Sequence, residues 1–161
     1  MINPTFVHLK EFQVIGISTR TSNALEAGGH GSIPKLWESF YQQQISRKVP
    51  NPMPDSPTFE VYTDYENGVT GAYNVLIGLK AADTADVPAG LAATSIPAGT
   101  YAIFTTEKGP IFQNVPACWA AIWEFVEQGG IERAYTGDFE LYDERASNPQ
   151  EAVVDIYIAV K

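Results

Sequence analysis

The stretch Phe12-Gln13-Val14-Ile15-Gly16-Ile17-Ser18-Thr19 is rich in β-branched residues and predicts a strand, ended by a polar, glycine-rich connection from Asn23 to Gly31. The period then changes. Leu36, Trp37, Phe40, Tyr41 and Ile45 recur at helical spacing, Ser32 is available as a cap and Pro34 suits a first turn, so a helix is predicted from Ser32 through about Arg47. Pro50, Pro52, Pro54 and Pro57 each remove a backbone donor and restrict the residue before, which makes the next stretch a loop. Thr58 to Tyr65 and Ala72 to Ala81 then read as two strands of a hairpin, with the turn at Glu66 to Gly71.

A polar, alanine-rich linker from Ala82 to Gly90 follows, and the same order begins again. Ala92 to Ile96 and Thr100 to Thr106 are extended, with Pro97-Ala98-Gly99 between them read as a kink. Asn114 is a plausible helix cap, Pro116 sits in the first turn, Trp119, Ile122, Trp123 and Val126 follow with helical period, and Gly129-Gly130 stops the helix. Tyr135 to Glu144 and Ala152 to Lys161 close the chain as strands.

Three correspondences support duplication. Ile33-Pro34-Lys35-Leu36-Trp37 matches Val115-Pro116-Ala117-Cys118-Trp119 at an offset of 82, Phe59-Glu60-Val61-Tyr62 matches Phe139-Glu140-Leu141-Tyr142 at 80, and Tyr73 to Lys80 matches Val154 to Lys161 at 81. The expected fold is α+β: two fused βαββ repeats, about residues 12–81 and 91–161, within one domain spanning 1–161. Together they predict a curved, mostly antiparallel sheet of about eight strands, two main helices and a cleft at the pseudo-twofold seam, a favoured place for ligands.

The matched strands also carry the candidate chemistry. Alternation puts Glu140 with Tyr142, and Glu60 with Tyr62, on one face of each strand, and an acid beside an aromatic suggests the floor of a pocket for a cationic or polar small molecule. Eight Tyr, eight Phe and three Trp in 161 residues supply rings for such a pocket. A net charge of -9 argues against a phosphate-backbone partner, so no direct nucleic-acid contact is expected. One cysteine, Cys118, allows no intrachain disulfide, and His8 and His30 show no metal-ligand spacing, so neither metal nor cofactor is expected. No apolar run approaches the roughly 18 residues of a membrane span and no signal pattern opens the chain, so the expected home is the cytoplasm.

The Ile33-Pro34-x-x-Trp37 helix start, the Tyr62-Thr63-Asp64-Tyr65-Glu66 segment with Gly68, the Ile96-Pro97-Ala98-Gly99-Thr100-Tyr101 strand entry and Phe139-Glu140-Leu141-Tyr142 together resemble the GyrI-like small-molecule-binding family. This is the effector-binding domain also found in some AraC-type and MerR-type transcription regulators. The resemblance implies a hydrophobic cationic ligand met by the Glu140 carboxylate, with Trp37, Tyr41, Phe112, Trp119, Tyr142 and Tyr157 lining the site and Glu60 and Tyr62 as pseudo-symmetric echoes. Only eleven residues precede the strand at Phe12, so no helix-turn-helix is expected, and the resemblance implies a stand-alone sensor, sequestering or effector-binding protein. A separate regulator or a topoisomerase is the macromolecular partner it suggests.

Ordinary roles compete at each position. Glu140 could be a solvated strand acid, Trp37 and Trp119 could serve core or cleft, and Trp123 is expected in the core. An alternative function is hydrolysis of a small molecule, with Glu140 as general base and Tyr142 or Tyr157 as orienting donor.

Overall fold

A computed structural model describes residues 3–161. Eight strands form one antiparallel sheet: β1 (Thr5–Leu9), β2 (Phe12–Ser22), β3 (Thr58–Thr63), β4 (Ala72–Ala81), β5 (Ala92–Ile96), β6 (Gly99–Thr105), β7 (Asp138–Tyr142) and β8 (Asp155–Ala159). Three helices accompany them, α1 (Asn23–Ala27), α2 (Ile33–Gln42) and α3 (Ile111–Glu127). The sheet order is β1-β6-β8-β7-β3-β4-β2-β5, and it reads symmetrically about the β7–β3 pair. Each half contributes an equivalent trio, β2-β4-β3 and β6-β8-β7, with a main helix inserted after the first strand. The join is centred on a single cross-strand pair, Glu60 opposite Glu140.

The ends of the sheet are exchanged between the halves. β1 precedes β2 in sequence but pairs with β6, and β5 precedes β6 but pairs with β2. Leu9 lies opposite Gly99 and Phe12 opposite Ile96, so Lys10-Glu11 and Pro97-Ala98 cross side by side from one end of the sheet to the other. The sheet is thereby curled into a half-barrel whose interior is filled by Val14, Phe59, Val61, Leu76, Ile96, Tyr101, Phe139 and Ala159. The predicted kink at Pro97 is this corner. β1 is an additional strand within the eleven residues that the sequence reading left unassigned. Its five residues are mostly exposed, and only a partner 90 or more residues away makes them a strand.

Close strand approach puts Gly16 opposite Gly78 in the β2–β4 pair. A Cβ on Gly16 would stand 1.8 Å from the carbonyl oxygen of Ile77, which is backbone and cannot turn aside. Gly16→Ala is therefore expected to destabilise the fold by at least about 3 kcal/mol, read as a lower urea midpoint with unchanged slope.

Both main helices lie on the face opposite the half-barrel interior. Leu36 and Phe40 of α2 pack with Ile45, Tyr62, Tyr73, Val75 and Ile77, while Cys118 and Ile122 of α3 pack with Ala102, Phe104, Ile156 and Ile158. Several boundaries differ from expectation. α2 ends at Gln42, because Gln44 turns left-handed at φ 51, and Ile45 is buried by a 3-10 turn, Ile45–Arg47. Ser32 makes no side-chain cap. The Glu26 carboxylate does that work from α1, inside the predicted connection, accepting from the amides of Ser32 at 2.8 Å and Ile33 at 3.3 Å. Such a carboxylate also complements the positive end of the helix dipole.

α3 starts at Ile111, ahead of the predicted Asn114, so Pro116 falls inside the helix and withholds an amide from the carbonyl one turn before it. Asn114 acts as a tether instead, its Nδ2 donating to the carbonyls of Glu107 and Ala152 at 2.8 Å each. β3 stops at Thr63 because Asp64 adopts φ 54, and β7 begins at Asp138 after Tyr135 at φ 56. Among the described residues, no helix is long and apolar enough to cross a membrane.

Candidate functional site

With Glu60 opposite Glu140, strand alternation sends both acids, Tyr62, Tyr142 and Asp138 to the helix face, and Phe59, Val61, Phe139 and Leu141 into the half-barrel. The acids are 3% and 1% exposed. Each takes an indole from its own half: Trp37 Nε1 donates to Glu60 Oε1, and Trp119 Nε1 donates to Glu140 Oε2 at 2.6 Å. Each also meets the tyrosine two residues along its strand, Tyr62 for Glu60 and Tyr142 for Glu140. The duplication has thus built one site with an approximate twofold through the acid pair.

One contact breaks that symmetry. The Tyr62 hydroxyl also lies 2.7 Å from Glu140 Oε2, so it touches both acids. Five short contacts reach the two carboxyls, from Trp37, Trp119, Tyr142 and twice from Tyr62, yet those four side chains offer one proton each. The single Tyr62 proton is thus shared between the two carboxyls. Burial and the neighbouring Glu140 charge push Glu60 well above the usual carboxylate range. Burial also raises Glu140, but donors from Tyr142, Trp119 and Tyr62 favour its ionised form. Glu60 is therefore the acid pushed further toward its neutral form, and Glu140 the one better furnished with donors to carry charge. Both tyrosines stay neutral, burial and the acids holding their phenols well above the ordinary value.

Rings enclose this centre in matching sets. Tyr41 stacks on Trp37 at 5.9 Å between centroids and Tyr142 meets Trp37 edge-on at 5.0 Å; opposite, Trp123 lies 6.1 Å from Trp119 and Tyr62 meets Trp119 edge-on at 5.5 Å. Trp123, expected in the core, is half-buried and is the counterpart of Tyr41. Tyr41 is 68% exposed and forms a rim.

Two predicted lining residues stand elsewhere. Tyr157 stacks on Phe139 at 4.4 Å and packs against the half-barrel interior, on the opposite face from Glu140, because Ile156 and Ile158 claim the helix face of β8. Phe112, two turns before Trp119, is 65% exposed, since the earlier start of α3 places it at the helix tip.

The sequence reading missed a second polar cluster. Asp138, fully buried on the same face of β7 as Glu140, accepts from Arg133 at 2.7 Å, from the Tyr65 hydroxyl and from the Ala159 amide at 2.8 Å. Alternation from Glu140 places Asp138 on this face, but comparison of the repeats points away from it, because its counterpart at an offset of 80 is Thr58. Among the described residues, no group of three His, Cys, Asp or Glu is placed to hold a metal ion.

A curled sheet of two matched halves, each roofed by a helix and meeting at a buried polar centre ringed by aromatics, is the framework of a small-molecule-binding domain. The chain belongs to the GyrI-like small molecule binding domain family, which it matches over residues 2–161. It is 36% identical over 157 residues to YobU of Bacillus subtilis, a candidate transcriptional regulator, covering 98% of this chain and 96% of that one. A 26% identity over 131 residues links it to the transcriptional regulator BrlR of Pseudomonas aeruginosa, covering 80% of this chain and 46% of BrlR. Among solved structures, an integron cassette protein from the mobile metagenome of Vibrio cholerae superposes with a TM-score of 0.78 at 28% identity, over 98% of this chain and 95% of that one. SAV2435, solved bound to tetraphenylphosphonium, shares the fold with a TM-score of 0.79 at 16% identity, over 99% and 94% of the two chains.

Proposed function

We propose that this protein binds lipophilic organic cations at the acid pair, as a cytoplasmic sensor, sequestering or effector-binding protein that performs no chemistry on them. The observation that carries the reading is a buried carboxylate, Glu140, with indole and phenol donors but, among the described residues, no cation at hydrogen-bond distance. Burying a charge without a counter-charge is costly, and a cation entering beside Glu140 recovers that cost. Each ring face adds about 0.5 to 2 kcal/mol of attraction for positive charge. Rings supply tolerance of shape, and the acid supplies preference for charge. Because the acids are almost fully covered, entry requires Trp37 and Tyr142 to part beneath the exposed Tyr41. The tetraphenylphosphonium held by SAV2435 is a cation of this class and is the probe of choice.

Titration with tetraphenylphosphonium is expected to quench tryptophan fluorescence with a dissociation constant below about 100 μM, which is about 5.5 kcal/mol of binding. The neutral triphenylphosphine oxide should bind at least tenfold more weakly. Absence of binding below millimolar concentration, or equal affinity for the neutral compound, refutes the reading.

The contact between the Tyr142 hydroxyl and a Glu140 of raised pKa supports hydrolysis as a second reading, with Glu140 as base and Tyr142 as its donor. Tyr157, on the other face, has no part in it. Turnover of a strained-ring electrophile, lost in Glu140→Gln, distinguishes this reading from binding alone.

A further inference from the structure

The two matched halves of the site differ in one respect that bears on ligand number and direction. Trp119 already has a cation beside it. The Arg133 guanidinium lies 4.4 Å from the centre of the Tyr135 ring, 5.7 Å from Tyr65 and 5.9 Å from Trp119, and it pairs with Asp138. On the cation-binding reading, a ligand at the acid pair would have surroundings of the same kind, rings on several sides and one carboxylate. Among the described residues, no basic side chain sits over Trp37, Tyr41 or Tyr142. The counterpart of Asp138 there is Thr58, which carries no charge.

Resting on the cation-binding reading above, we propose that Arg133 is a built-in cation that fills the Tyr65–Tyr135–Trp119 cage on one side of the acid pair, so that the protein takes one ligand and takes it only from the Trp37–Tyr41–Tyr142 side. Arg133 is well suited to the part. It is 5% exposed, and its Nε is buried with no hydrogen-bond partner, so the guanidinium is held by ring faces and Asp138 rather than by a full set of acceptors. Asp138 is fixed from two further directions, by Tyr65 and by the Ala159 amide, so the cage stands independently of the ligand. Arg133 and Tyr135 also line a surface hollow of about 760 Å³ at the end of α3, which offers an approach to this recess once the guanidinium is removed. Arg133 is in this sense a specificity-determining residue that sets stoichiometry and direction of entry.

Tyr41 and Trp123 are the discriminating pair, being counterparts in the two halves. In calorimetric titration with tetraphenylphosphonium, the native protein is expected to bind one equivalent. Tyr41→Ala should weaken binding about tenfold and Trp123→Ala less than twofold, the range of one ring contact. Arg133→Met, which keeps the length of the side chain and leaves Asp138 in its cage, should admit a second equivalent while circular dichroism remains native. Equal losses in Tyr41→Ala and Trp123→Ala, no loss in Tyr41→Ala, or a folded Arg133→Met that still takes one equivalent would each overturn the proposal. Should Arg133→Met fail to fold, the Tyr41 and Trp123 comparison decides alone. Failure of the native protein to bind the cation would count against the cation-binding reading itself, a distinguishable result.

Discussion

Glu140→Gln is expected to weaken tetraphenylphosphonium binding about 30-fold near neutral pH, Glu60→Gln less than threefold, and the double variant about 1,000-fold. The first figure corresponds to about 2 kcal/mol, the lower end of what truncating one partner of a buried charge pair costs. It sits at the lower end because the protein has a reserve. Removing the Glu140 charge removes the repulsion that helps keep Glu60 protonated, and Glu60 retains Trp37 and Tyr62 as donors to its ionised form. Part of the negative charge therefore returns one strand away.

In Glu60→Gln the charge stays where three donors already favour it. The amide also resembles the protonated Glu60 it replaces, with a donor for Tyr62 and an acceptor for Trp37. Only the double variant leaves the cation facing neutral groups, and the preference over triphenylphosphine oxide should then vanish. Calorimetry on the three variants checks the order. Equal losses in the two single variants would contradict the assignment of charge to Glu140.

The sequence made the centre of this site legible and its surroundings less so, for physical reasons visible in particular residues. Trp37 and Trp119, Tyr62 and Tyr142, Glu60 and Glu140 were found because duplication repeats them, and alternation in a strand then fixes which of them share a face. That the acids sit directly opposite one another depends on strand register, which spacing along one chain does not reveal. β1 escaped for the same reason, and although Ala92 to Ile96 was read as extended, its pairing with β2 of the other half was not. Tyr157 was misplaced because alternation sets it against Ile156 and Ile158 without saying which face is which, and α3 claims the isoleucines. Asp138 and Arg133 have no echo in the first half, so a reading guided by the repeat passed over them.

Raising the pH should destabilise the native protein more than Glu60→Gln, although native Glu60 is the residue with the better match to its site. Both acids have folded-state pKa values raised above 4.5, Glu60 the more strongly. A group raised in this way contributes its full stability below the unfolded value and loses it as pH climbs through the folded value, because the unfolded chain ionises freely while the folded state must keep the proton or carry a buried charge. Gln at position 60 has no proton to lose. The two proteins should therefore melt together near pH 4.5, and by pH 8 the variant should melt higher by about 2 °C or more, the shift expected of about 1 kcal/mol in a chain this size. Asp143, which Arg145 pulls below its usual value, works in the opposite sense at lower pH, but it is common to both proteins and cancels in the difference. Cation affinity should follow the same ionisation. It should rise about tenfold per pH unit until the pair is singly ionised, then level off for a monocation, since a single negative charge is all that it pairs with. A dication should continue to gain as the second proton leaves Glu60. Affinity for tetraphenylphosphonium that does not vary with pH from 4 to 8 would mean that the Glu140 carboxyl is not raised above its ordinary value.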